Sequence, residues 1–215
     1  MPIQPQPVDQ LAIETAAARI AAEVAEKGWS VTHGYVNPKM VASLRQRVRD
    51  WWEEGDLRRA GIGRGDNFQL RDDIRSDYVR WLDLESAGRF HDLLVEHYEP
   101  LRLAFNRELY LGLFEFEGHA TVYPPGSFYA RHVDRFTTAA HRKLSAVLYL
   151  NDDWQAADGG QLRMYFTHDD GIETSHDVLP EGGTLVTFLS DRIPHEVLPA
   201  HRERLSLTGW FRARD

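Results

Sequence analysis

Two hydrophobic periods divide this chain. In the first half apolar residues return at three- and four-residue steps, as in helices buried on one face. The Ala-rich run QLAIETAAARIAAEVAEKG follows Asp9, a good N-cap, and ends at Gly28, a C-terminal signal. WSVTHGYV then alternates as a strand does. Pro38 opens a second helix, with Val41, Leu44, Val48 and Trp51 on its apolar face. A third helix is expected over about Ser86 to Tyr110, carrying Leu93, Leu94, Leu101 and Leu103, with Pro100 kinking or interrupting it. Between the second and third helices, LRRAGIGRGDNFQLRDDIRSDYVRWLDL reads as a loop. Gly61, Gly63 and Gly65 loosen its start, and Arg58, Arg59, Arg64, Arg71 and Arg75 make it cationic. A loop of that length in a compact domain is either functional or disordered.

From about Phe114 the period shortens. HATVYPP, FYARHVD, KLSAVLYLND, GQLRMYF, GTLVTFLS, HEVLPA and RLSLTGWF read as short strands. Turn signals divide them at Pro124-Pro125-Gly126, Asp158-Gly159-Gly160, Asp170-Gly171 and Gly182-Gly183. Strands at this spacing indicate a sandwich or barrel, and the helices would buttress one of its faces in a single α+β domain. The expected divisions are a flexible tail over 1–8, a helical support region over 9–113 and a strand-rich core over 114–215.

Composition narrows the function classes. With 215 residues, 42% of them hydrophobic, the chain can bury a sizeable core. A net charge of −8 argues against a sequence-independent grip on nucleic acid, which needs cations on the phosphates. No apolar run approaches ~18 residues, so no membrane-spanning helix is expected. MPIQPQPVDQ lacks the basic and apolar regions of a secretory signal. Cysteine is absent, which excludes disulfides, thiolate ligands and a cysteine nucleophile. A reducing cytoplasm is the simplest compartment for such a chain.

The chemistry concentrates in the second half. FYARHVDRF sets His132 and Asp134 two residues apart, so that both would project from one face of an extended strand. THDDGI offers the same spacing at His168 and Asp170, but turn geometry accounts for that pair. His33, His91, His97, His141 and His176 have no partner at ligand spacing. His195 differs, because it opens a strand directly after an apolar strand and a tight turn. On the last strand Arg204, Ser206, Thr208 and Trp210 share one face, while Leu205, Leu207 and Phe211 share the other. A guanidinium pointing inward needs a partner, and no carboxylate follows it at suitable spacing. Its planar fork suits the carboxylate of a ligand; an ion pair with a surface acid is the structural alternative. Two histidines and one carboxylate leave half of a metal's coordination sphere open. That suits non-haem Fe(II) with a chelating co-substrate. A three-ligand zinc site is the alternative, and Arg204 weighs against it.

TVYPPGSFYARHVD, SAVLYLNDDWQAADGGQLRMYF and FLSDRIPHEVLPAHRERLSLTGWF together resemble the 2-oxoglutarate- and Fe(II)-dependent oxygenases, specifically the prolyl hydroxylases of the hypoxia-inducible-factor type. The likeness runs from about Ile13 to Phe211 and is strongest from Tyr123 onward. It implies a double-stranded β-helix, or jelly roll, supported by helices. It implies Fe(II) on His132, Asp134 and His195, and the distal carboxylate of 2-oxoglutarate on Arg204 and the Tyr149 hydroxyl. Thr208 and Tyr123 would line that pocket. Tyr129, Arg142 and Trp210 would border a target peptide, and the loop over about 57–83 would cover it, closed by Asp77 and Trp81. The implied reaction consumes O2, with ascorbate as a supporting reductant, hydroxylates a prolyl residue and releases succinate and CO2. Bacterial members of this type look directed at a translation factor, elongation factor Tu. YPPGSFY is one residue shorter than its animal equivalent and the loop sequence differs, which bears on target choice rather than on chemistry. Two other readings stand beside this one: the same chemistry on a free amino acid or small metabolite, and a non-catalytic jelly-roll sensor or binding module. The long cationic loop favours an extended partner over a metabolite. The complete set of His132, Asp134, His195 and Arg204 disfavours a decayed site.

Overall fold

A computed structural model describes residues 10–62, 69–83, 88–134 and 141–214. Helix α1 (Gln10–Lys27) buries Ile13, Ala17, Ile20, Ala21 and Val24 along one stripe, and Gly28, at φ +86°, turns the chain out of it. Asp9, its expected cap, lies outside the described residues. Helix α2 (Pro38–Glu53) is capped by Asn37, whose side chain accepts from the Met40 N–H at 2.9 Å. Its buried residues are Val41, Leu44, Val48 and Trp51, as the periodicity requires. The expected third helix comes in three pieces: α3 (Arg89–Leu93), a π turn (Leu94–Tyr98) and α4 (Glu99–Leu109). Pro100 has no N–H to give the preceding turn, and the helix absorbs this by widening before it. Ser86 falls outside the described residues.

The strands are β1 (Trp29–Thr32), β2 (Arg58–Arg59), β3 (Tyr78–Trp81), β4 (Leu113–Tyr123), β5 (Tyr129–His132), β6 (Arg142–Tyr149), β7 (Leu162–Thr167), β8 (Glu173–Val178), β9 (Leu185–Leu189), β10 (His195–Val197) and β11 (Arg204–Ala213). They form a seven-stranded sheet, ordered β1-β9-β6-β11-β4-β3-β2, and a four-stranded sheet, ordered β5-β10-β7-β8. Three strands depart from the sequence reading. β8 is exposed at every residue but Val178, so it offers no alternation to read. β2 and β3 fall inside the supposed loop, where they extend the large sheet beyond β4. An isolated bridge joins Ile62 to Gln69 at the loop's neck; Gly63 to Phe68 lie outside the described residues.

The large sheet has two different faces. Its outer face packs on the helices through Ile20, Leu44, Leu101, Phe105, Leu207 and Phe211. Its inner face meets the small sheet through Tyr149, Leu162, Met164, Phe188 and Val197. This is the rolled, double-stranded arrangement expected. No helix among the described residues is long and apolar enough to cross a membrane.

Candidate active site

His132 ends β5 and His195 begins β10, and the two are direct cross-strand partners. Each imidazole is oriented by its own backbone. His132 Nδ1 bonds the Ala130 carbonyl at 2.8 Å, and His195 Nδ1 bonds the Ile193 carbonyl at 2.9 Å. With Nδ1 carrying the proton, each Nε2 is left as a lone-pair donor. The rings stand 4.3 Å apart, His132 stacked on Tyr129 at 3.7 Å and His195 edge-on to Phe188.

Asp134 arrives by a different route from the one its spacing implied. β5 stops at His132, and Asp134 sits in the bend beyond it, so strand parity does not aim its side chain. The large sheet does so instead. Ser145 Oγ on β6 and Trp210 Nε1 on β11 both donate to Oδ2, at 2.6 and 2.9 Å. Ser145 has spent its proton there, so Ser190, 2.9 Å away, donates to it in turn. Oδ1 is thereby turned towards His132 Nε2 at 3.5 Å and His195 Nε2 at 3.7 Å. The three ligand atoms lie within 4.8 Å of one another, the one such group among the described residues that could hold a metal ion.

Electrostatics prepare the same atoms for a cation. Burial pushes the Asp134 carboxyl up, but His195, His132 and Ser145 outweigh it and hold the group well below the usual carboxylate range. Burial lowers His195 to about 4, with Asp134 opposing only in part. At neutral pH the site therefore holds a carboxylate beside a neutral imidazole, the protonation states metal binding needs. These donors fit a divalent ion bound on one side.

Arg204 forms the floor of the same cavity, which encloses about 830 Å³. It is 1% exposed, and its Nε donates to the Gly160 carbonyl at 2.7 Å. That contact needs Gly160 itself: φ is +66°, and a Cβ there would lie 3.0 Å from Arg204 Cδ. The guanidinium carbon stands 4.9 Å from the Tyr123 ring and 5.0 Å from the Tyr149 ring. No carboxylate among the described residues pairs with it, as the surface ion-pair alternative would require. The Tyr149 hydroxyl and Ser206 Oγ are buried without hydrogen-bond partners. A buried cation with unsatisfied hydroxyl groups beside it fits the distal carboxylate of 2-oxoglutarate. Burial, moderated by Arg204, takes Tyr149 up to about 12, so it stays a donor. Burial also raises Tyr123. Thr208 and Tyr123 line the cavity, whereas Tyr149 stands behind its surface against Arg204.

The open side holds the remaining expected residues. Arg142, bonded through Nε to Glu117 at 2.7 Å, lies 3.5 Å over the Trp210 ring. Trp81, half exposed, meets Trp210 and stands edge-on to His119. Asp77 does not reach the cavity. Its side chain is fully buried and clamps Arg75 through two bonds of 2.8 and 2.6 Å, and Arg75 covers Tyr129 at 4.2 Å. Burial takes the Tyr129 hydroxyl up to about 12. His119, Thr121 and Arg75 line this wall too, and the sequence reading missed them. His119 and Thr121 share the parity of Tyr123, so the face argument used for the last strand would have found them. Burial, then Arg75 and Arg142, depress His119 to about 3.

A rolled sheet with two histidines, a carboxylate and a buried arginine facing one cavity defines a 2-oxoglutarate- and Fe(II)-dependent oxygenase. Residues 118–212 match the model of the 2OG-Fe(II) oxygenase superfamily, and the chain belongs to that family, whose members use Fe(II), 2-oxoglutarate and O2. Within it, the chain is 46% identical to the crystal structure of a Pseudomonas putida prolyl-4-hydroxylase, with a TM-score of 0.80, covering 93% of this chain and 100% of that one. A Trichoplax adhaerens prolyl hydroxylase, solved with a peptide fragment of the hypoxia-inducible factor oxygen degradation domain, shares the fold. Its TM-score is 0.84 at 22% identity, over 97% of this chain and 94% of that one. Among curated relatives, the hypoxia-inducible factor prolyl hydroxylase of Caenorhabditis elegans is 30% identical over 209 residues, 91% of this chain and 28% of that one. Human Egl nine homolog 1 is 33% identical over 147 residues, 65% of this chain and 33% of that one. The chain thus spans a third or less of the length of these curated relatives.

Proposed function

We propose that this protein hydroxylates a proline within a protein substrate, consuming 2-oxoglutarate and O2 at an Fe(II) held by His132, Asp134 and His195, and releasing succinate and CO2. When bound, iron and 2-oxoglutarate supply the oxidising power, one oxygen atom of O2 ending in succinate and the other in the new hydroxyl group. The chain's own part is binding, orientation and exclusion of water. His132, Asp134 and His195 would hold the ion, and three protein ligands would leave positions for the co-substrate and O2. Arg204 grips the distal carboxylate, aided by the hydroxyls of Tyr149, Thr208 and Tyr123. Tyr129, Arg142, Trp210 and Trp81 border the peptide, and Asp77 acts by steadying Arg75. The aromatic walls keep water from the reacting centre.

One observation carries this reading: an open three-ligand site shares its cavity with a buried arginine that has no counter-ion among the described residues. The 46% identical neighbour is a prolyl-4-hydroxylase, and the Trichoplax relative was solved with a peptide bound; both favour a peptide target. Elongation factor Tu is the first target to test, from the resemblance to bacterial members of this type. The test is mass spectrometry of cell extract incubated with the protein, Fe(II), 2-oxoglutarate and ascorbate. A single-oxygen gain on a proline, matched by succinate, is expected. Succinate without any such gain, or an oxygen found only on free amino acids, would overturn the peptide target.

A further inference from the structure

Six arginines line the cavity, and four have a carboxylate partner. Arg59 holds Asp72, Arg75 holds Asp77, Arg80 holds Asp56 and Arg142 holds Glu117. The other two, Arg204 and Arg58, have none among the described residues. Arg204 is buried at the floor, and its missing counter-ion is the feature that fits the co-substrate. Arg58 is exposed at the rim.

Sheet register gives the direction of Arg58. It pairs with Val79 on β3, Val79 pairs with Thr121 on β4, and Thr121 pairs with Ser206 on β11. Residues directly opposite on antiparallel strands point to the same face, so Arg58 shares the cavity face with Thr121. Its neighbour Arg59 pairs with Tyr78, whose ring packs on Trp52 of the helical layer. β2 is the last strand of its sheet. Arg58 is therefore a cation at the cavity's outer edge, facing inward, with no carboxylate partner among the described residues. Three strand spacings of about 4.8 Å separate it from β11, whose Trp210 holds Asp134, and an extended peptide advances about 3.3 Å per residue. Some four residues of substrate would bridge that span. The protein's net charge of −8 repels acidic partners at long range, so an acidic segment would be held only where a local cation meets it.

Building on the prolyl-hydroxylase reading, we propose that Arg58 selects a substrate segment bearing an Asp or Glu side chain within about four residues of the target proline. The guanidinium would take that carboxylate side-on, as Arg204 takes the co-substrate's. The test starts from a protease digest of a bacterial proteome, treated with the Fe(II)-loaded protein and 2-oxoglutarate and read by mass spectrometry. Prolines that gain oxygen should carry Asp or Glu enriched at one flanking position. With Arg58→Glu, shown to melt as the parent does, the enrichment should move to Lys or Arg at that position. A synthetic copy of the strongest peptide is then compared with its amide counterpart, Asp→Asn or Glu→Gln. Binding to protein loaded with Zn(II), which cannot turn over, should weaken about two- to five-fold, the range for an exposed ion pair. The difference should vanish in Arg58→Ala. Hydroxylated prolines without acidic enrichment, or an unchanged peptide set with Arg58→Glu, would overturn the role of Arg58 while leaving the activity standing. If no proline gained oxygen, the prolyl-hydroxylase reading would fall, and this proposal with it.

Discussion

Both faces of β11 carry fully buried side chains, and these do opposite things. Leu205 and Phe211, 1% and 0% exposed, enter the helical core; Arg204 and Ser206, 1% and 0% exposed, line the inner side of the roll. Burial therefore does not separate core from site. What separates them is unmet polar demand. The outer face is closed by dispersion and apolar burial, which ask nothing of a ligand. The inner face holds a cation with no counter-ion among the described residues and three ligand atoms turned towards one point. Such an arrangement is costly unless something binds there, and so it marks where function lies.

The contrast is broken most completely by Asp134→Ala. It removes the carboxylate of the three-residue group, and iron-dependent succinate formation should disappear while circular dichroism still reports the folded sheets. Full activity would mean that another carboxylate serves. Phe211→Ala attacks the outer face and should cost about 3–5 kcal/mol in denaturant unfolding. Iron affinity per folded molecule should not change; a parallel loss would show that the two faces are not independent. Arg204→Ala should weaken 2-oxoglutarate binding by about 2–5 kcal/mol, read by calorimetry, with iron binding preserved. Equal losses of both ligands would merge two sites that geometry keeps apart.

Acid sharpens the comparison with the smallest effect. His119 and His195 are depressed to about 3 and 4, so in the metal-free protein they stay neutral while the unfolded chain takes up protons from about pH 6.5 downward. Stability should fall as pH drops from 6.5 to 4, and Asp134, held ionised, adds its loss only below the usual carboxylate range. His119→Gln should reduce the stability lost by pH 4 by roughly 2–3 kcal/mol. A melting temperature indifferent to pH over that window would mean that these imidazoles are not held neutral by burial.

Much of the site was legible residue by residue, for local reasons. Parity on the last strand singled out Arg204, Thr208 and Trp210, and the break after an apolar strand singled out His195. Other features escaped because their cause is not local. Asp134 was chosen on strand spacing, yet Ser145 and Trp210, on two strands of the other sheet, aim it. Asp77, expected to close the substrate-covering loop, is instead buried beneath Arg75. β8 pairs with β7 although its own side chains are almost all exposed, because its ladder is satisfied by the neighbour's backbone.

Where a strand forms, the sequence alone determined which of its residues share a face: the pleat makes that a property of each short segment, independent of what lies across from it. It also determined, through Pro38, Pro100 and Gly28, where helices begin, distort and end. Only the tertiary structure decided that His132 would stand opposite His195, and that Asp134 would be turned towards both. Pairing between distant strands is set by register and by the closing of one sheet over another, and neither is written in any single segment.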